Sequence, residues 1–235
     1  MESSVRSPNR LLTSLSSADF ELLVLHLKTI KLVRATVLFE AGDPIKRVYF
    51  PHSGIISLVV GAKGGHTADV AMTGCDGVVG GSFALGAGFA LNKGIVRVSG
   101  EASIIDAARL RKAAAASVAL RETLFRYKQA MLAQAQQSVA CNAKHSIEAR
   151  LARWLLHSRD LFVDGTLPLT QTFLGQILGV QRTGVSLAAS NLQKAGLIKY
   201  AWGRIQITDL KRLERAACEC YGKVKADSDR LLKSS

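Results

Sequence analysis

The stretch from Leu169 to Ile207, LTQTFLGQILGVQRTGVSLAASNLQKAGLIKYAWGRIQI, constrains the fold more tightly than any other part of this chain. On a helical wheel of Gln181–Lys194, Val185, Ala188, Ala189 and Leu192 share one face. Arg182, Thr183, Ser186, Ser190 and Gln193 share the opposite face, with Leu187 at its edge. Such a helix packs on a core by one side and presents short hydrogen-bonding groups on the other. The segment before it predicts a second helix, with Thr170 as N-cap and Phe173, Leu174, Ile177 and Leu178 buried. Gly179 stands between the helices, where a tight turn calls for positive φ, and Val180 plugs the corner. Gly196 is placed as the C′ residue of the second helix. Leu197–Tyr200 and Arg204–Ile207 then pair as a hairpin across Ala201-Trp202-Gly203. The sum is a winged helix-turn-helix, whose second helix is shaped for a DNA major groove.

The formal charge of +13 suits a polyanionic partner. The opening MESSVRSPNR has no apolar run behind it, and no stretch approaches the length of a membrane span. The four cysteines, Cys75, Cys141, Cys218 and Cys220, do not form a disulfide framework in a chain of 235 residues, which fits a reducing cytoplasm. There is no nucleophile–base motif, no P-loop and no pair of carboxylates in a pocket-like context, so the sequence does not read as an enzyme.

Upstream the pattern changes. Residues 1–10 read as disordered, and Ser14–Ser17 with Phe20, Leu22, Leu23, Leu25 and Leu27 as a short helical entry. Short β-prone runs follow at Ala35–Phe39, Val48–Phe50, Ile55–Val60, Val70–Met72, Ile95–Val98 and Ser103–Ile105, punctuated by Gly, Pro and Asp. This spacing predicts a sandwich or barrel. Gly74–Gly88 reads as a loop or tight turn region. Ala107–Ala143 is free of Gly and Pro and predicts one long helix. On it Leu120, Leu124, Tyr127, Met131, Gln134 and Ser138 follow a 4-3-4-3-4 seam, apolar early and polar late. The seam fits either a partner helix or the helix's own domain. His145–Glu148 reads as a hinge, and Ile147–Leu161 as a helix burying Leu151, Trp154 and Leu155, with Phe162 beyond it. Thr208 or Asp209 caps a last helix turning Leu210, Leu213, Ala217 and Cys220 inward, and Val224–Ser235 reads as a frayed tail.

The segment LTQTFLGQILGVQRTGVSLAASNLQKAGLI with its wing resembles the Crp/Fnr family of bacterial transcription regulators. A second match, LFEAGDPIKRVYFPHSGIISL at 38–58, lies where that family has its N-terminal β-roll. The resemblance implies an α+β fold: a jelly-roll-like β-roll at 11–112, a dimerisation helix and hinge at 113–144, and a winged helix-turn-helix at 145–223. It implies a homodimer joined through the seam Leu120, Leu124, Tyr127, Met131, Gln134 and Ser138. The dimer would read a near-palindromic duplex, with RNA polymerase as a further partner. Arg182 stands where many members read guanine, and Thr183 and Ser186 reach neighbouring base edges or a phosphate. Gln181 serves a base or the backbone; Thr170 and Gln171 fix register on phosphates, and Lys199 and Arg204 add wing charge. Some members carry an acidic residue in place of Thr183 and an Arg in place of Leu187, so a different target sequence is expected.

Cyclic-nucleotide-binding members carry a Gly-Glu and an Arg-Ser or Arg-Thr phosphate cassette in the roll. Here Gly77-Val78-Val79-Gly80-Gly81-Ser82 and Asn92-Lys93-Gly94 stand in those places, without the Glu and without the Arg-Ser pair. Lys93 lacks the fork of an arginine. An effector pocket would draw on Gly80, Gly81, Asn92, Lys93 and Gly94, with Gln136 and Gln137 from the long helix. The degenerate cassette weighs against cyclic AMP. No cysteine precedes Cys75, and Cys218 and Cys220, read as two apart on one helix, point in different directions. No iron–sulfur, haem or other metal site is therefore expected. His26, His52, His66, His145 and His157 have no tight ligand spacing, Cys75 reads as a small apolar residue, and thiol redox sensing stays open. A second reading makes the chain a ligand-sensing interaction protein with a vestigial DNA-binding module.

Overall fold

A computed structural model describes residues 7–61, 67–161 and 166–233. His66 and Phe162 lie outside them. The chain divides into two compact units, one of the residues up to Leu58 with Met72–Gln129, the other of Val59–Ala71 with Ala130 onward. The long helix is thus shared between the units and does not stand as a segment of its own.

The first unit opens with α1 (Arg10–Thr13) and α2 (Ser17–Val24). Order starts before residue 10: buried Asn9 caps α1 and donates its amide to the carbonyls of Pro51 and Gly77. Ser16 caps α2. Among the described residues the strands up to Asp106 are β1 (Lys28–Leu32), β2 (Val37–Phe39), β3 (Arg47–Pro51), β4 (Ile55–Gly61), β5 (Thr67–Thr73), β6 (Lys93–Val98) and β7 (Gly100–Asp106), with the end of β4 and most of β5 falling in Val59–Ala71 of the second unit. They form one sheet in the order β1-β7-β3 and another in the order β2-β6-β4-β5. Six of these match the β-prone runs of the sequence. β1 was not anticipated, because only Leu32 of KTIKL is fully buried and its polar alternation is weak. Leu32, Tyr49, Ile56, Val79, Val96 and Ala102 form one buried core cluster among these strands.

The expected single helix from Ala107 is two, α3 (Ala107–Ala116) and α4 (Val118–Lys144). Ser117 adopts extended backbone between them. Its hydroxyl accepts from the Leu120 amide of α4 and donates to Asp19. A serine that can cap a new helix competes with continuing the old one.

In the second unit α5 (Ile147–Leu161) begins just after Ser146, whose hydroxyl accepts from the Ala149 amide. The break falls inside the expected hinge. β8 (Thr166–Leu167), α6 (Gln171–Leu178), α7 (Arg182–Lys194), β9 (Ile198–Ala201) and β10 (Arg204–Ile207) follow. The ribbon is a three-stranded sheet, β8-β10-β9, because two residues before α6 add an edge strand. α8 (Leu210–Ala216) is capped by Asp209, and Cys220–Lys233 forms a further helix, α9, where a frayed tail was expected. Among the described residues no helix is long and apolar enough to cross a membrane.

Candidate nucleic-acid interface

The two motif helices are set by local chemistry. Thr170 accepts from the Phe173 amide at 3.3 Å and starts α6. Gly179 ends it at φ 62°, in the left-handed region that glycine enters without steric cost. Phe173, Leu174, Ile177 and Leu178 are buried on one side of α6, and Val185, Ala188, Ala189 and Leu192 on one side of α7. At the end of α7 the Leu197 amide donates to the Leu192 carbonyl and the Gly196 amide to that of Gln193. This is the paired bonding of a Schellman cap.

The opposite side of α7 faces solvent: Gln181, Arg182, Thr183, Leu187, Ser190 and Gln193 are exposed and Ser186 is half-buried. The Arg182 Nε donates to Gln171 Oε1 at 3.1 Å, tying the first residue of α7 to the first residue of α6. Gln171 thereby orients Arg182, a link the sequence did not reveal. Burial pushes the phenol of nearby Tyr200 up, and the Gln171 backbone and Arg182 charge pull it back. Gln193 is committed to the wing, its Oε1 accepting from the Tyr200 amide at 2.7 Å.

The wing register pairs Arg204 with Ala201 and Ile207 with Ile198, leaving a two-residue loop, Trp202-Gly203. Both have positive φ, 53° and 70°, as a type I′ turn requires. Trp202 is 99% exposed at the tip, flanked by the exposed Lys199 and Arg204. The sequence places Trp202 in the turn but assigns its ring no role. A non-glycine residue at positive φ carries a conformational cost there.

The seam of the long helix is used inside the chain. Leu120 (1% exposed), Leu124 (2%) and Tyr127 (5%) are buried by their own unit. The Tyr127 hydroxyl bonds Thr73 at 3.0 Å, and its ring lies where a Cβ on Gly77 would stand. Gln134 donates to His157 at 2.6 Å, and Ser138 meets Arg153 at 3.4 Å. Met131 is half-buried. Of the expected seam, Leu120, Leu124 and Tyr127 are thus packed within their own unit, while Met131, Gln134 and Ser138 stay half-buried. The large exposed apolar residues of α4 are Val118 (60%), Phe125 (54%), Leu132 (51%) and Val139 (72%), every seventh residue.

The cassette region holds no arginine fork. Gly80 has φ 85° and opens a 3-10 turn, and a Cβ on Gly81 would touch Leu124. Lys93 pairs with Glu40 at 2.8 Å, and Asn92 is half-buried beside it in sequence. The Phe39 ring covers Gly94 closely enough to exclude a Cβ. Gln136 is exposed, and Gln137 donates to Cys220 Sγ at 3.0 Å. A cavity of about 360 Å³ in the first unit is lined by other residues: Leu38, Phe39, Asp43, Pro44, Lys46, Arg47 and Tyr49. Burial pushes the Cys75 thiol up, away from the reactive thiolate range.

Residues 149–216 match the family model for the Crp-like helix-turn-helix domain. No curated protein matches this chain by sequence. Among solved structures, FixK2 from Bradyrhizobium japonicum is similar at TM-score 0.72 and 19% identity, over 82% of this chain and 98% of that one. The c-di-GMP-responsive global regulator CLP of Xanthomonas campestris follows at TM-score 0.66 and 16% identity, over 83% and 100%. A CRP-family transcriptional regulator from Thermus thermophilus gives TM-score 0.64 and 19% identity, over 80% and 96%. The chain thus has the β-roll and helix-turn-helix architecture of the Crp/Fnr regulators and carries a Crp-like helix-turn-helix domain.

Proposed function

From that architecture, we propose that this protein is a homodimeric, sequence-specific DNA-binding transcription regulator of Crp/Fnr type that acts without cyclic AMP. The observation that carries the reading is α7. Its inner face is buried core, while its outer face presents Arg182, Thr183 and Ser186 with Arg182 braced by Gln171. Arg182 reads a guanine, Thr183, Ser186 and Gln181 contact adjacent base edges or backbone, and Thr170 and Gln171 set register on phosphates. Lys199, Arg204 and Trp202 bring the wing against the neighbouring backbone. RNA polymerase is the further partner of the DNA-bound dimer.

The dimer forms through the heptad stripe Val118, Phe125, Leu132 and Val139, whose spacing is that of a coiled-coil seam. Two copies related by a twofold axis read a near-palindrome with half-sites about one helical turn apart. The absence of cyclic AMP control is supported by the glycine cassette, by Lys93 paired with Glu40 and by Gln137 held on Cys220.

Selection from a random duplex library with ligand-free protein tests this directly. A palindromic motif is expected without any nucleotide. Arg182→Ala should relax one symmetric base position, at a cost of about 1–3 kcal/mol in discrimination. A motif that emerges only with cyclic AMP overturns the reading of the roll. Failure to bind any duplex, even at low salt, overturns the DNA reading in favour of an interaction protein.

A further inference from the structure

The second unit brings together four groups that the sequence reading kept apart. Cys141 and His145 lie one turn apart at the end of α4. Cys218 and Cys220 flank Glu219 where the chain passes from α8 into α9. The link is not helical, and Ala217 is extended at ψ 152°, so the two thiols converge where a continuous helix would have spread them. The three sulfurs are buried, and all four ligand atoms lie within 4.8 Å of one another. The Cys141 and Cys218 sulfurs are 3.4 Å apart, and Cys220 Sγ is 3.6 Å from His145 Nδ1.

We propose that Cys141, His145, Cys218 and Cys220 bind one thiophilic divalent cation of the zinc class in a closed, four-coordinate structural site. Metal–sulfur bonds of about 2.3 Å and a metal–nitrogen bond of about 2.0 Å in a tetrahedron place sulfurs about 3.8 Å apart and sulfur and nitrogen about 3.5 Å apart. The observed separations reach those values by small rotations of the side chains. They are too tight for an iron–sulfur cluster, where thiolates bind different irons and stand farther apart.

The surroundings fit the ion as well. His145 Nε2 faces Glu219 Oε1 at 3.1 Å. The carboxylate keeps the ring proton on Nε2 and leaves Nδ1 free as a donor toward the metal, the usual outer partner of a ligating histidine. The Gln137 amide donates to Cys220 Sγ at 3.0 Å, as it would to a thiolate. Arg150 and Arg153 are each only 6% exposed, and Nε of each has no hydrogen-bond partner among the described residues. Arg153 acts electrostatically on Cys141, and Arg150 on Cys141 and Cys218. Neither makes an ion pair with a carboxylate among the described residues. Arg150 donates to the Leu178 carbonyl and Arg153 to the Ser138 hydroxyl, but among the described residues no carboxylate balances the two charges beside the three thiols. On binding, the three thiols release their protons to solvent and the neutral histidine releases none. A dication with three thiolates carries one net negative charge, which compensates the arginines in part. With four protein ligands no position is left for water, so the ion acts as a staple. It ties the end of α4 to the junction of α8 and α9, within the unit that carries α7.

The full chain, purified with reductant and loaded with zinc, is assayed by elemental analysis, and the stripped protein is titrated with cobalt(II). About one zinc per chain is expected, with the cobalt form showing the intense visible bands of tetrahedral thiolate coordination. Cys218→Ser and His145→Ala should each lose most of the zinc, whereas Cys75→Ser, outside the site, keeps it all. Cys220→Ser provides a second ligand variant should Cys218→Ser fail to fold. Chelation should lower the melting temperature of the wild type and leave that of a folded ligand variant unmoved. Reduced wild type that takes up neither zinc nor cobalt overturns the proposal. So does full zinc content in the ligand variants, or a Cys141–Cys218 disulfide in a protein that binds no metal after reduction. None of these readouts depends on DNA binding.

Discussion

Acidification should destabilise the second unit through His157, by an amount that follows from its surroundings. Gln134 donates to its Nε2 at 2.6 Å, which requires a neutral ring with its proton on Nδ1. Burial, and then the Arg153 charge, lower its pKa from 6.5 to about 4, with Asp160 opposing. The unfolded chain therefore takes up a proton before the folded one does. The stabilising contribution is complete above 6.5 and is lost as pH falls toward 4. Across that interval it amounts to about 3 kcal/mol, of which about 2 kcal/mol is gone by about pH 5. The chain has two tryptophans, and Trp154 packs edge-on to His157 with centroids 6.5 Å apart. In a Trp202→Phe background Trp154 fluorescence reports this unit alone. Urea midpoints at about pH 7 and about pH 5 are compared for this protein and its His157→Gln derivative. The histidine form should lose about 2 kcal/mol more than the glutamine form, on the order of 1 M in midpoint. Equal losses in both would refute the reasoning, because groups common to the two proteins cancel.

Gly77→Ala places a Cβ within 2.0 Å of the Tyr127 ring. It should destabilise the first unit by about 1–3 kcal/mol in a denaturant melt, and an unchanged midpoint would contradict the packing. Glutamates at both Phe125 and Leu132, 54% and 51% exposed, should convert the proposed dimer to a monomer of normal helicity by light scattering; a dimer that persists would move the proposed interface elsewhere. Trp202→Asn removes a 99% exposed ring and relieves its φ of 53°. The variant should gain up to about 1 kcal/mol in stability yet bind duplex more weakly, and undiminished binding would free the wing tip of any contact with DNA.

Much of the candidate interface was legible because its signals are local. Thr170 as a cap, Gly179 and Gly196 at positive φ and the small apolar face of α7 each follow from residue type and a period of 3.6. The seam on the long helix was legible only in part, for a reason equally physical. Leu120, Leu124 and Tyr127 repeat as a coiled coil does, but periodicity names a buried face without naming what buries it. Here the helix's own unit does so, and the polar late positions Gln134 and Ser138 have partners in His157 and Arg153. The second stripe, Val118, Phe125, Leu132 and Val139, was present in the sequence but masked by the stronger first one.

By itself the sequence determined the two kinds of architecture and their order, a many-stranded roll and then a winged helix-turn-helix, because alternation, caps and turn residues act over a few positions. It also determined that one side of α7 is built for hydrogen bonding. Only the tertiary structure decided what distant residues do together. Cys141 and Cys218 are 77 positions apart yet 3.4 Å apart in space, and the break after Ala216 turns Cys218 and Cys220 to one side. No local rule encodes that convergence, since it depends on where the end of α4 meets the junction of α8 and α9, and that is set by the packing of the whole unit.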